Sequence, residues 1–163
     1  MNRKEGLKRL PNRSDSMCFG CSPANPSGLR LEFFTDDESI YSWVEVPGHL
    51  CGWKNLVHGG VISTILDEVM GRLVVHKMRC LPMTKSMTVD FLKPVSIDRE
   101  LRAEARLIEI RSEREVLAEG LIFNEEGELC AKSRGTFASF KPDDGKKLGI
   151  KDDDAVIWFN SLI

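Results

Sequence analysis

Residues 60–78 constrain this chain more than any other stretch. Val61, Ile62, Ile65, Leu66, Val69, Leu73 and Val74 recur there at helical spacing and make a strongly apolar stripe. The segments on either side instead alternate apolar and polar residues with the period of two that strands require. One apolar helix among amphipathic strands has to bury its stripe against the sheet those strands build. The expected fold is α+β: a curved antiparallel sheet of about six strands wrapped around one long central helix.

The strands can be placed from pattern and punctuation. Leu29, Leu31 and Phe33 alternate with Arg30 and Glu32, Asp36 to Ser39 reads as a turn, and Ile40 to Val46 completes a hairpin. Pro47 and Gly48 end it, and a loop through His49, Gly52, Trp53 and Asn55 leads to the helix. After Cys80 and Pro82 four strands are expected, at 84–92, 101–110, 116–123 and 129–140, running as a meander. Residues 1–17 read as a polar lead-in, 18–140 as the folded domain, and 141–163 as a charged linker with a short apolar end. That end holds Val156, Ile157, Trp158 and Phe159, so it is expected to dock on some surface rather than extend into solvent.

Composition excludes several classes. At 163 residues with 42% hydrophobic content the chain can enclose a core without disulfides or structural metal. A net charge of −2 carries no basic excess for nucleic acid. There is no apolar run of about 18 residues and no secretory pattern behind Met1 to Glu5, so a cytoplasmic protein is expected. Five cysteines suit reduced thiols. Cys18 and Cys21 have zinc-ligand spacing, but a structural site takes four ligands and no second pair is present, so no metal is expected.

Chemistry concentrates at the helix start, Val57-His58-Gly59-Gly60. The first amides of a helix lack internal partners and sit at the positive end of its dipole. Glycines there let a substrate atom approach the backbone, and a developing oxyanion would be stabilised by the N–H groups. The plain alternative is a tight helix entry and nothing more. His58 is a candidate base, with organising the turn the favoured role.

Asp67 is the second candidate, because a carboxylate inside an apolar helix is uncommon without a partner or a task. Helical spacing groups it with Ser63, Thr64, Met70 and Gly71, away from the stripe centre, on a face that is either solvated or met by another surface. Asp67 lies eight residues past Gly59, about 12 Å along a helix. Both groups must reach one reacting carbon, which one helix does not allow. Two antiparallel helices related by a two-fold axis would solve this, so an isologous homodimer is expected. Glu68 has Arg72 four residues on, and an ion pair is the favoured reading.

At these residues the sequence resembles the hotdog-fold acyl-CoA thioesterases, in particular the phenylacetyl-CoA thioesterase-like group. The resemblance rests on Val57 to Glu68, including the nine-residue step from His58 to Asp67, on Gly52 to Leu56 before it, on Cys18 to Leu29, and on Thr84 to Pro94. It covers residues 18–140. It implies a hotdog fold, an acyl-CoA substrate with no separate cofactor, and a homodimer assembled as a dimer of dimers, a homotetramer. It implies Asp67 as general base or nucleophile, Gly59 and Gly60 as oxyanion donors, and Thr84 as a holder of the attacking water. It departs at Gly52, where some members carry an asparagine; Asn55 stands three residues before His58 and is a substrate-binding candidate. Glu68 is another. Lys85, Lys93, Arg111 and Arg114 are candidates for the coenzyme A phosphates, and Trp53 and Phe19 either line an acyl pocket or simply pack. The rival readings are a hotdog protein that senses acyl-CoA without turnover, and a hotdog dehydratase.

Overall fold

The computed structural model describes residues 4–150 and 153–162. Helix α1, Gly59–Met78, is the central element. His58 caps its start in extended conformation, and Arg79 closes its end in the left-handed region at φ 51°. Among the described residues seven strands form one antiparallel sheet: β1 Lys8–Leu10, β2 Phe33–Thr35, β3 Ser39–Glu45, β4 Leu81–Phe91, β5 Glu100–Ser112, β6 Glu115–Phe123 and β7 Leu129–Phe140. Their spatial order is β1-β2-β3-β5-β6-β7-β4. Helix α1 packs on β3 to β7, so the sheet wraps it as the helical stripe requires.

Three details differ from the sequence expectation. The sheet has seven strands rather than about six, because residues inside the polar lead-in supply β1, whose Leu10 is buried. The first long strand starts later than its alternation suggests. Leu29 and Leu31 are buried, but their amides donate to the Phe19 and Gly20 carbonyls, and Arg30 takes φ 53° between them. That segment serves the preceding turns, and ladder pairing begins at Phe33. The last four strands are also not one meander: β5, β6 and β7 are consecutive neighbours, whereas β4 lies outside β7. Alternation reports which face of a strand is buried, not which strand lies beside it.

The core sits between α1 and the concave face of the sheet. Ile65, Leu66, Val69 and Leu73 are fully enclosed, as the stripe predicts, and so is Met70, which helical spacing placed on the Asp67 face. Two sheet glycines explain the difference. A Cβ on Gly120 or Gly135 would come 3.2 Å from Met70, so these bare positions form the slot that takes its side chain. Ile65→Ala should lower unfolding free energy by about 2–5 kcal/mol through lost burial and the cavity left behind. Urea denaturation followed by circular dichroism checks this; a loss below about 1 kcal/mol, near the level of a surface change, would contradict the core assignment.

Helix α2, Asp153–Ser161, returns the C-terminal end to the domain. Phe159 is buried, and the Trp158 ring lies 5.1 Å from the Arg72 guanidinium, which also approaches Phe33 at 5.3 Å. The expected docking is therefore made through a cation held among aromatic faces.

Candidate active site

The helix start is organised by His58. Its Nδ1 accepts the Gly60 amide at 2.9 Å, and its carbonyl accepts from Val61 and Ile62. A ring nitrogen used as an acceptor is unprotonated there, so the neutral ring carries its hydrogen on Nε2. The cap also engages Gly60, one of the two expected oxyanion donors. Gly59 is the first helical residue, and among the described residues no acceptor meets its amide. Gly59 is half-buried, and a Cβ on it would find only the exposed Phe91 ring, at 3.5 Å.

Asp67 is half-buried on α1, and its Oδ1 accepts the Thr84 hydroxyl at 2.7 Å. Thr84 lies on β4 beside an irregularity: the register with β7 shifts between Thr84 and Ser86. A bulge re-aims the side chains next to it. Asp67 and Thr84 share a shallow cavity of about 230 Å³ with Glu68, Gly71, Pro82 and Phe159. The helix is unbroken from Gly59 to Asp67, so the pair stays about 12 Å from the Gly59 amide of the same chain.

The surface around Asp67 and Thr84 is open. β4 is eleven residues long and terminates the sheet, and among the described residues no strand pairs with its outer edge. Met83, Phe91 and Leu92 are exposed along and just past it. Ser63 and Thr64, on the same side of α1, turn their hydroxyls back onto the Gly59 and Gly60 carbonyls at 2.9 Å. The face is therefore polar in composition yet offers few free donors.

The remaining candidates scatter. Lys85 pairs with Glu115, and Arg111 reaches Glu109 at 3.2 Å and Glu115 at 3.3 Å. Lys93 pairs with Glu128 at 2.5 Å. Each of these cations already faces a carboxylate; Arg111 finds its partners nearby in sequence, whereas Lys85 and Lys93 take theirs from 30 and 35 residues away, which sequence spacing does not reveal. Arg114 instead borders a cleft of about 600 Å³ with Arg79, Lys141 and Lys147. That cleft lies at the C-terminal end of α1, about 30 Å from Gly59 for a 20-residue helix, so it is remote from the helix-start amides of the same chain. Asn55 is exposed, and its carbonyl accepts the Ile97 amide. Trp53 is 80% exposed and so is not a packed core residue.

Glu68 is the main correction. Its expected partner Arg72 donates to the Pro11 carbonyl. The Glu68 carboxylate turns instead to Cys18, with Oε1 3.5 Å from Sγ, and Cys21 lies 3.3 Å from Cys18. Burial, reinforced by the Cys18 thiol, pushes the Glu68 carboxyl up to about 7. Sequence spacing alone could not bring residues fifty positions apart together.

Residues 54–131 match the sequence pattern of the Thioesterase superfamily. No curated protein matches the chain. Among solved structures, one described only as a thioesterase superfamily protein aligns with TM-score 0.68 at 22% identity, over 75% of this chain and 60% of its own length. PaaI from the phenylacetic acid degradation operon of E. coli aligns with TM-score 0.62 at 17% identity, over 69% of this chain and 80% of that one. Smu.793 of Streptococcus mutans UA159, solved with acetyl CoA, aligns with TM-score 0.63 at 16% identity, over 68% and 89%.

Proposed function

We propose that this hotdog-fold chain, whose residues 54–131 match the Thioesterase superfamily, hydrolyses an acyl-CoA thioester at a site shared by two copies. The observation that carries the proposal is the pairing of Asp67 with Thr84 on an open helix face, set against a Gly59 amide that is unengaged but out of its reach. The acetyl CoA bound to Smu.793, and the coenzyme A solved with a hypothetical thioesterase protein of Streptococcus pneumoniae TIGR4, support the choice of substrate.

In the proposed reaction the thioester carbonyl oxygen takes a hydrogen bond from the Gly59 amide of one copy. Asp67 of the other copy accepts a proton from water as the water oxygen adds to the carbonyl carbon. The Thr84 hydroxyl holds the carboxylate in one rotamer, so its second oxygen faces the water. The negative charge that develops on the former carbonyl oxygen is met by the helix-start amide and dipole. Collapse of the intermediate breaks the C–S bond. The thiolate departs, a good leaving group because a free thiol ionises near pH 8.5, and takes the proton held by Asp67; the carboxylic acid product gives its own proton to water, which leaves a carboxylate and restores Asp67. The long β4 edge with Met83, Phe91 and Leu92 supports β4-to-β4 pairing as the dimer contact.

Release of free thiol from a panel of alkyl-CoA, aryl-CoA and acyl-carrier-protein thioesters tests the proposal. Turnover of at least one CoA thioester is expected. Tight acyl-CoA binding with no thiol release from any member would replace hydrolysis with sensing.

A further inference from the structure

The catalytic proposal does not use the Cys18, Cys21 and Glu68 cluster. One ligand atom from each of the three lies within 4.8 Å of the other two. We propose that Cys18, Cys21 and Glu68 bind a thiophilic divalent cation, with Zn²⁺ the best match, and so clip the loop beginning at Cys18 to helix α1.

The geometry fits such an ion. Zn–S bonds of about 2.3 Å and Zn–O bonds of about 2.1 Å in a tetrahedron put two sulfurs about 3.8 Å apart, and a sulfur and an oxygen about 3.6 Å apart. The Cys21 and Cys18 sulfurs stand 3.3 Å apart, and Cys18 stands 3.5 Å from the Glu68 carboxylate. The loop is also shaped around the carboxylate. A Cβ on Gly20 would lie 2.3 Å from Glu68 Cδ and Cγ, so only glycine lets the carboxylate reach across to the thiols. Arg72, whose charge acts on Cys21 and Glu68, donates to the Pro11 carbonyl and faces the Phe33 and Trp158 rings, and makes no described hydrogen bond to the cluster.

A simple dithiol pair explains less. Disulfide formation needs the two sulfurs alone and gives no task to a carboxylate brought in over a glycine. The earlier expectation of no metal counted only ligand pairs along the sequence, and the third ligand comes from α1. With three protein ligands, the fourth position is left to water. The inference does not rest on thioesterase activity, because its readouts are spectroscopic and stoichiometric.

The test is titration of the reduced, metal-stripped full chain with Co²⁺, then displacement by Zn²⁺ in a chelator competition. One equivalent per chain, a thiolate-to-cobalt charge-transfer band and net proton release are expected. Cys18→Ser and Cys21→Ser should each weaken binding beyond the roughly 10–100-fold that outer-shell changes cost. Glu68→Gln should weaken it about 10-fold or more while keeping the charge-transfer band, with circular dichroism showing each variant folded. The absence of that band in the reduced wild-type chain overturns the proposal. So does a Cys18–Cys21 disulfide in protein isolated without reductant whose reduced form binds neither ion, or Co²⁺ binding that all three substitutions leave unchanged.

Discussion

Asp67→Asn should lower kcat for acyl-CoA hydrolysis by about 10²–10⁴-fold, the usual weight of a positioned general base. The substitution keeps size and shape, and the new amide carbonyl can still accept the Thr84 hydroxyl that now reaches Asp67 Oδ1 at 2.7 Å. What is lost is the ability to take a proton from water. Asp67 is half-buried and makes no described ion pair, so the fold and the assembly should not change. Steady-state thiol release, together with sedimentation of the variant, separates these outcomes. A variant of normal size with normal turnover removes Asp67 from the reaction.

Gly59→Pro should be nearly as costly, about 10²–10³-fold in kcat, because it deletes one oxyanion donor and little else. Proline is favoured at the first helical position, where its missing N–H was unpaired inside the helix anyway. The residue before a proline must be extended, and His58 already sits at φ −62° and ψ 136°. The added ring would face Phe91, whose nearest atom is 3.5 Å from an ideal Cβ, an ordinary contact distance. The variant is therefore expected to melt with the wild type. Gly60→Pro offers the contrast, because it would remove the amide that His58 Nδ1 accepts and loosen the cap. Normal kcat in folded Gly59→Pro protein would show that the amide does not polarise the thioester.

Much of this architecture is legible in the sequence because it follows from period. The shift from strand spacing to helix spacing at Gly60, and back after Cys80, locates α1 within one residue and leads to a sheet wrapped round it. What period does not carry is partnership. It could not show that β4 leaves the meander for the outer edge of β7, nor that Leu29 and Leu31 serve turns rather than a ladder. The same limit applies at the site. Spacing joined Glu68 to Arg72, but Arg72 had a carbonyl and two aromatic rings to meet, and Glu68 had two thiols. The resemblance named Thr84, while the bulge beside it that accompanies its contact with Asp67 depends on register with β7. Gly60 looked equivalent to Gly59 until the His58 ring was seen to take its amide.

The central claim is that Asp67 and Gly59 act across two copies, and subunit complementation tests it most directly. Asp67→Asn and Gly59→Pro proteins, each inactive alone, are mixed in equal amounts and allowed to exchange subunits. Half of the dimers are then mixed, and each mixed dimer has one site with both groups intact. Activity should return to about a quarter of the wild-type value if the site is built across an isologous interface. If a single chain supplied both groups, every site would still carry a defect, and the mixture would remain as inactive as its components.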